Sequence, residues 1–599
     1  MRIINKYIIA AFALLVSISA IASEKSSSTK VFKAMEDELE RNMTQLELDD
    51  SGTPFYIGYW VTSAQRGKVA ATMGSLVESS LSDGAWCSVN VKMGDYALND
   101  EKYWDKVNKI NHNDGYFSVP LDLNYDGIRK SLWIMTNNVY KGAAEKYKNK
   151  TEQMERQGIA VDDLPSPDFS KEEVKETMQD ELENEISKVA FERNIRELSA
   201  HFKNFSDIIE SDVELNYQHI MHYSVNSEGI KFQTPYRFYV LTVNATMLDN
   251  NNHTFNQSLE YYHNSFKALP SVDEITSDIN LLVENMQAYK KADKYKDVYN
   301  GPVLFMDKAG VDMCYSKTFK KGMGLVGNPR NLVFKKKEGL VRAEFKTWED
   351  YISKKVVDKK LSVELKPLMS EYKGQPMLGS FSLDLDGLVP EETTLLIKDG
   401  MLQQQIVGRT PTAIQHTSSR HKRFYVQKNS VSHKIAPSVV KISTNEVKTD
   451  EEIKASMLAL AEEEGLEYVF IVKALDCHAD KAPVSYVKMN VSDGSEEVVS
   501  GVSFKYSDRT LMKVEALGDG EYVTNALLPD YAEIENKMKR YKGAPPEILE
   551  IIKKQMIGIQ GTPISVICPD ALLLESAELT GVKNNIKSAS RVVPSPMME

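Results

Sequence analysis

Two consecutive segments with alternating character constrain the fold of this chain more than any other feature. Residues 211–232 (SDVELNYQHIMHYSVNSEGIKF) and 235–248 (PYRFYVLTVNATML) are rich in β-branched and aromatic residues. Polar and apolar residues alternate along both, which is typical of strands whose two faces meet different surroundings. We therefore predict a sheet with one face on the core and the other face in water.

The chain before this sheet contributes a helix and further strands. Residues 30–48 place Phe32, Met35 and Leu39 at three- and four-residue spacing, which predicts an amphipathic helix. The run that begins at Pro54 (PFYIGYWVT) predicts a buried strand, and two more strand-like runs follow it. A helix and a sheet that share one core predict an α+β N-terminal domain.

A helical hairpin is predicted as an insertion over about 138–205. Apolar residues continue at helical spacing to Gln157, and two prolines then interrupt the pattern. Ser170 and Glu173 have the spacing of a capping box, which predicts that a second helix begins there. The Glu- and Lys-rich faces of the hairpin are interpreted as solvated surface.

The second half of the chain is predicted to be mainly β, with a boundary near Tyr299–Pro302. This assigns residues 23–298 to the α+β N-terminal domain, 299–583 to a β-rich C-terminal domain and 584–599 to a loose, flexible tail.

Two local features stand out in the C-terminal domain. The tripeptide Lys398-Asp399-Gly400 predicts a tight turn between two strands. One helix is predicted from an N-cap at Asp450 to an end at Gly465.

The first 22 residues have the pattern of a secretory signal peptide. A basic start with Arg2 and Lys6 precedes an apolar run from Tyr7 to Ile18, and the small-x-small end at Ala20-Ile21-Ala22 predicts cleavage after Ala22. The apolar run is shorter than the ~20 residues that span a bilayer. The mature chain is therefore predicted to be exported to the periplasm or the cell exterior, without a membrane span.

Composition excludes several classes of protein. The chain is 42% hydrophobic and 26% charged with a net charge of −12, which is typical of globular proteins and does not favour binding to nucleic acid. The motifs of acyl hydrolases, P-loop NTPases and dinucleotide-binding proteins are missing from the sequence.

Cysteine usage points to structure rather than to chemistry. The four cysteines are widely separated without C-x-x-C spacing, and three full pairings are possible. Cys477 and His478 are adjacent, so on a strand their side chains point apart and a nucleophilic pair is not expected.

Two histidine pairs are candidates for metal binding. His219 and His222 lie three residues apart in a predicted strand, so they face opposite sides and are not expected to share a metal. His416 and His421 lie in a basic loop, where neighbouring cations such as Arg420 would repel a metal ion. We interpret that loop as solvated surface.

A set of segments is spread in order over nearly the whole mature chain. The segments are PFYIGYWVT, KVAATMGSLVESS, VKMGDYALND, VNSEG, GPVLF, LGSFSLDLDGLVPEETTLLIKDGML, AEEEGLEYVFIVKAL and ISVICPDALLLESAEL. By their order and spacing they together resemble the TldD/PmbA family of metallopeptidase-related proteins, most closely its exported bacterial branch. No single segment carries the resemblance alone.

The resemblance implies an α+β domain followed by a mainly β domain, and it implies paired subunits. In such pairs one subunit carries zinc and cuts flexible or unfolded polypeptide, whereas its relative lacks metal. Zinc hydrolysis needs protein ligands that hold a metal-activated water, with a nearby carboxylate to take its proton.

The zinc motif that the resemblance implies is degenerate in this chain. In the active branch, the strand matching GPVLF leads into a helix with H-E-x-x-x-H. Here the first His position is Met306, the Glu position is Asp307 and the second His position is Val311. A thioether is a poor zinc ligand and valine is none, so zinc is not expected as a cofactor. Asp307 remains a candidate acid or base, although its simpler interpretation is a surface residue at a helix start.

The same resemblance suggests a place for substrate. It puts the basic loop near the substrate cleft, which makes Arg409, Arg420 and Arg423 candidates for binding an anionic peptide. Three hypotheses follow: a metal-free, non-catalytic subunit that handles extended polypeptide as a homodimer or as a heterodimer with a relative; a peptidase with a different ligand set, for example Asp307 with a distant histidine; or a cell-envelope interaction protein that uses the fold as a scaffold.

Overall fold

The computed structural model describes most of the chain. The described residues are 28–47, 52–105, 116–173, 176–250, 254–315, 325–327, 332–335, 338–342, 348–427, 431–473, 486–504, 509–541, 543–544, 548–549 and 560–581. The predicted leader, the tail and the Cys477-His478 pair lie outside these ranges.

In the described part of the chain, helices and mainly antiparallel strands occupy separate stretches, so the protein is α+β. The helices are α1 (28–45), α2 (Tyr125–Arg156), α3 (Lys188–His201), α4 (Val272–Lys291), α5 (Lys308–Tyr315), α6 (Asp450–Glu463) and α7 (Tyr531–Met538). The strands of the N-terminal part are β1 (Tyr56–Thr72), β2 (Ser75–Lys92), β3 (Tyr103–Asp105), β4 (Phe117–Ser118), β5 (Glu176–Met178), β6 (Ile208–Asn226), β7 (Lys231–Leu248), β8 (Thr254–His263) and β9 (Asp293–Lys294).

The C-terminal part is richer in strands. They are β10 (Val298–Met306), β11 (Leu332–Lys335), β12 (Gly339–Arg342), β13 (Ser362–Leu365), β14 (Glu371–Tyr372), β15 (Gln375–Pro376), β16 (Thr394–Lys398), β17 (Met401–Leu402), β18 (Lys422–Val426), β19 (Val431–Ile435), β20 (Val439–Ser443), β21 (Val447–Lys448), β22 (Tyr468–Val472), β23 (Tyr486–Asn490), β24 (Glu496–Ser500), β25 (Val502–Phe504), β26 (Val514–Gly518), β27 (Glu521–Leu528), β28 (Thr562–Pro569) and β29 (Ala571–Gly581). Among the described helices, none is both long enough and apolar enough to cross a membrane.

A seven-stranded sheet organises the N-terminal part. Its order is β4-β2-β1-β6-β7-β5, with β8 also paired to β7, and the long central strands are antiparallel. Odd-numbered residues of β1 face the helices. At one end of the strand Ile57, Tyr59 and Val61 pack with α1 and α2, and at the other end Val69 and Ala71 pack with α3.

The opposite face of this sheet is covered, so the prediction of a water-exposed face is wrong. Even-numbered residues of β1 and β6 face the C-terminal part of the chain, where Trp60 Nε1 donates to the carbonyl of Leu385 at 3.2 Å. Thr62 Oγ1 and His222 Nδ1 lie 2.7 Å apart and are buried there. Polar residues can occupy a covered face because they form hydrogen bonds with each other and with the backbone of the segment that covers them.

The predicted helical hairpin is also wrong. Residues 171–173 are not helical, β5 follows, and the next helix begins at Lys188. Ser170 Oγ donates to Glu172 at 3.0 Å instead of capping a helix. The helices α2 and α3 belong to different hydrophobic clusters, so they cover opposite ends of the sheet rather than each other.

Two sheets, of nine and six strands, form the core of the C-terminal part. The nine-stranded sheet has the order β21-β26-β29-β10-β22-β23-β24-β9, with β25 on β29, and the six-stranded sheet has the order β17-β16-β13-β20-β28-β27. Val303 and Phe305 of β10 share one apolar cluster with Val363 and Leu365 of β13. Leu304 points to the other face, where α6 packs.

Both local predictions in this part hold at the level of the element. Lys398 pairs with Met401 across a turn in which Asp399 and Gly400 have φ of 48° and 78°. The helix α6 ends before Gly465, but its N-cap is Thr449, one residue before the predicted cap.

The N- and C-terminal parts also exchange strands. The short β3 pairs in parallel with β11, and β9 pairs in parallel with β24 of the nine-stranded sheet. The predicted boundary near Tyr299–Pro302 falls inside strand β10 of the nine-stranded sheet.

Candidate functional site

The position that corresponds to the zinc motif is a strand end and a turn. The strand β10 ends at Met306, Asp307 adopts a left-handed φ of 51°, and α5 begins at Lys308. The backbone N–H of Asp307 donates to the carbonyl of Asp570 at 2.6 Å, which fixes the turn, and the side chain of Asp307 is exposed.

The two degenerate ligand positions contribute to different cores. Val311 is 1% exposed and lies in the cluster between the two large sheets. Met306 packs against the α6 side of the nine-stranded sheet, in the cluster that contains Ile453 and Met457. Two side chains that point into separate apolar clusters cannot converge on one ion, so this position does not fit zinc.

The histidines make hydrogen bonds within the protein. His219 Nε2 and Tyr239 Oη lie 2.6 Å apart, whereas His222 bonds on the opposite face of β6, as predicted. His416 is exposed, and the fully buried His421 places Nδ1 2.6 Å from the carbonyl of Ser419. Among the described residues, no three His, Cys, Asp or Glu side chains are grouped as metal ligands would be.

Three of the cysteines are buried and, in the described part of the chain, are not part of a disulfide bond. They are Cys87, Cys314 and Cys568. Burial raises the pKa of the Cys87 thiol to about 12, so this thiol is not activated as a nucleophile.

Arg409, one of the three candidate arginines, joins the N- and C-terminal parts of the chain. Arg409 forms a bidentate ion pair with Glu228, with Nη1 to Oε2 at 2.6 Å and Nη2 to Oε1 at 2.7 Å. Glu228 lies in the turn between β6 and β7, where Gly229 has a φ of 94°. The VNSEG segment and the basic loop, which are far apart in sequence, therefore meet at one buried contact.

Aromatic rings and further hydrogen bonds surround this ion pair. The guanidinium of Arg409 stacks over the ring of Phe169 at 4.0 Å, and its Nη2 donates to the carbonyl of Ser170 at 2.5 Å. Tyr96 donates its hydroxyl to Glu228 at 2.7 Å. Burial lowers the pKa of Arg409, but the hydrogen bond and charge of Glu228 more than compensate, so the pKa is raised overall and Arg409 stays charged.

An open cleft of about 460 Å³ lies beside this contact, between the polar face of the first sheet and the C-terminal part. Its lining includes Tyr56, Lys92, Glu101, Asp386, Arg409 and Lys422. Lys92 pairs with Glu101, and Lys422 donates to Asp386 at 2.7 Å while lying 4.4 Å from the centre of the Trp60 ring. The cations of the cleft are thus matched by acids, which suits a polar chain better than a polyanion.

The other two candidate arginines lie elsewhere. Arg423 is buried and donates to the carbonyls of Pro437 and Pro563. Arg420 is partly exposed, and its Nη2 lies 3.9 Å from an oxygen of Glu172. Of the three arginines, only Arg409 lines the cleft. Its two Nη groups donate to Glu228 and Ser170, whereas its buried Nε has no hydrogen-bond partner in the part of the chain that the structure describes.

Sequence reasoning missed most of the cleft. Glu228, Lys92 and Asp386 occur in segments that carry the family resemblance, but nothing in the sequence marks them or Lys422 as residues of a site. All four are charged residues within or next to a predicted strand. Such residues are equally expected on a strand face that is exposed to solvent.

The burial of a neutral His222 between the first sheet and the C-terminal part predicts that the stability of the protein depends on pH. Burial lowers the pKa of His222 to about 3 from its ordinary value near 6.5. The unfolded chain therefore takes up a proton first, so the stability contributed by neutral His222 is complete above about pH 6.5 and is lost as the pH falls toward 3. We expect the free energy of unfolding to fall by up to about 1.4 kcal/mol per pH unit for this residue.

The measurement is urea unfolding between pH 7 and pH 4. His222→Gln should flatten the pH dependence, whereas the exposed His416→Gln should leave it as in the wild type. Equal slopes for the wild type and His222→Gln would contradict the assignment.

Comparison with known proteins identifies the fold. No protein-family model matches the chain, and neither does any curated protein. TldE from Thermococcus kodakarensis superposes with a TM-score of 0.52 at 11% identity, over 92% of this chain and 100% of that chain. A proposed DNA gyrase modulator from Thermotoga maritima gives a TM-score of 0.51 at 12% identity, over 88% of this chain and 96% of that chain. A second proposed gyrase modulator, from Bacteroides thetaiotaomicron, gives 0.51 at 11% identity, over 93% of this chain and 99% of that chain.

Each match extends over nearly the full length of this chain and of the solved structure, although the sequences are only 11–12% identical. They agree with the resemblance that the sequence segments carry. The chain therefore has the fold of TldE and of the TldD/PmbA-like proteins.

Proposed function

We propose that this protein is a metal-free, non-catalytic subunit of an exported TldD/PmbA-type assembly, and that it holds extended polypeptide for a partner subunit. One observation carries the proposal: Met306 and Val311, at the degenerate ligand positions, pack into two separate apolar clusters. The chain uses this strand end for packing, and a second histidine at Val311 would bury an imidazole in the core.

The cleft between the two parts supports the polypeptide-handling role. It is polar, its charges are paired, and its walls come from a sheet face and from the loops around Arg409. An extended chain brings many backbone donors and acceptors but little charge, which matches such a lining.

The partner would be a second copy or a relative that carries zinc. Hydrolysis would then depend on the relative, while this subunit binds and presents the substrate. The gyrase role in the names of two structural neighbours is not carried over, because the predicted leader would take this chain out of the cytoplasm.

The first test measures metal. Purified residues 23–599 should retain only trace zinc by elemental mass spectrometry after dialysis against dilute zinc, and Asp307→Ala should behave as the wild type does. Asp493→Ala, at an aspartate in a different turn, is the control. Near-stoichiometric zinc that is lost only in Asp307→Ala would contradict the proposal and favour a peptidase with a different ligand set.

The second arm of this test measures substrate. Fluorescein-labelled α-lactalbumin that is reduced and carboxymethylated should bind, whereas the native form should not. Thr410→Trp, which fills the cleft, should weaken binding by about ten-fold or more, because it occludes the contact area. Thr44→Trp on the exposed face of α1 is the matched control. Equal binding of native and unfolded forms would contradict the proposed role.

A further inference from the structure

The helix-facing side of the seven-stranded sheet has an uncovered band across its middle. The cluster with α1 and α2 covers the sheet up to Val61 of β1, and the cluster with α3 and α4 begins again at Val69. Between these two positions the odd-numbered residues Ser63 and Gln65 are polar and only partly buried. Because the side chains of this band are polar, they do not need a helix to cover them from water.

Four side chains in this band stand in one row across four strands. Asp83 of β2 pairs with Gln65 of β1, Gln65 with His219 of β6, and His219 with Arg237 of β7. Gln65 Nε2 donates to Asp83 Oδ1 at 3.0 Å. Three strand spacings give the row a length of roughly 14 Å, which is about the span of four extended residues.

This row forms the floor of a groove of about 310 Å³ with apolar rims. Leu121, which is 64% exposed, follows β4 at one edge of the sheet, and Leu182, which is 46% exposed, follows β5 at the other edge. The groove therefore combines a polar floor with one exposed leucine at each end.

The charge of the groove is negative. Arg237 is neutralised by Glu185 at 2.9 Å and also donates to backbone carbonyls. Burial lowers the pKa of His219 to about 4, so the ring is neutral at physiological pH. Asp83 accepts a hydrogen bond from an uncharged amide, so its carboxylate leaves the groove with a negative charge.

We propose that this groove binds an extended polypeptide segment of about four residues, with apolar side chains at its two ends and a basic residue between them. The leucine rims would receive the apolar ends, and Asp83 would attract the basic residue. The inference rests on the proposed function and adds a second contact, with its own sequence preference, to the polypeptide that the cleft holds.

The probe is a fluorescein-labelled peptide that contains Leu-Lys-Ser-Leu between glycine pairs, compared with the same peptide carrying Glu in place of Lys. Leu121→Ser combined with Leu182→Ser should weaken binding of the lysine peptide by about ten-fold or more, because two apolar contacts are lost. Asp83→Asn should reduce the preference for the lysine peptide over the glutamate peptide.

The control carries Val77→Ser and Val189→Ser, which change two exposed apolar residues outside the groove lining and should leave binding unchanged. The substituted leucines are exposed, so the fold is retained. Unchanged affinity in the double leucine variant, or no binding of either peptide, would overturn the groove. If Thr410→Trp still weakens binding of unfolded α-lactalbumin, the cleft function stands alone; if the wild type binds neither probe, both proposals fail.

Discussion

Replacing Arg409 with methionine is expected to lower the free energy of unfolding by about 3–5 kcal/mol, because Glu228 would remain buried and charged without its partner. The guanidinium also donates to the carbonyl of Ser170 and stacks on Phe169, so its removal detaches the basic loop from the N-terminal part. Urea unfolding followed by tryptophan fluorescence measures the change.

Two further variants distinguish the loss of the ion pair from a general loss of stability in this loop. Arg420→Met changes a partly exposed arginine of the same loop and should cost less than about 1 kcal/mol. The double variant Arg409→Met with Glu228→Gln should cost less than the sum of the single variants, because the second change removes the stranded charge. Strictly additive effects would show that the two residues do not stabilise each other.

Replacing Lys150 with methionine is the second large expected effect, again about 3–5 kcal/mol. Lys150 lies on α2 with its side chain fully buried, where it pairs with Asp168 and donates to the carbonyls of Asn99 and Glu101. Methionine fills much of the same volume but removes the cation that pairs with Asp168 and the donor to the two carbonyls, so among the described residues Asp168 keeps only the backbone N–H of Asn99.

The same unfolding measurement tests this prediction. Lys148→Met is the matched control, because Lys148 lies on the exposed face of the same helix and should change stability by less than about 0.5 kcal/mol. A similar small effect for both lysine variants would contradict the assigned role of Lys150.

Local patterns predicted local structure well. The apolar spacing after residue 30 gave α1, the aromatic run after Pro54 gave β1, and the tight turn at Gly400 is present. In each case the signal and the structure lie within a few residues, so periodicity and turn chemistry suffice.

Predictions that depended on tertiary contacts failed. The capping-box spacing at Ser170 did not start a helix, because the carbonyl of Ser170 accepts a hydrogen bond from Arg409 and its hydroxyl is used by Glu172. The alternating polar face of β6 was interpreted as wet, but polar residues can equally bond to a covering segment. A single sequence cannot distinguish these cases.

The candidate site was only partly predictable for the same reason. Arg409 could be named, with Arg420 and Arg423, from a resemblance, and its role in binding a peptide stays a prediction. Its partner Glu228 could not be named, because the two residues are 181 positions apart and nothing in a charge pattern joins them. The structure was needed to show that a turn motif and a basic loop form one contact.

The covered face of the first sheet has a consequence for the order of folding. The strands β1 to β8 precede Leu385 and β18, the segments that cover this face, so the N-terminal sheet can form while that face is still open. Part of the face is apolar, because Ile220, Phe238 and Val240 pack against the C-terminal part. Polar side chains such as Thr62 and His222 lie among them, so the apolar area that is exposed before the second half docks is smaller than it would be on a wholly apolar face.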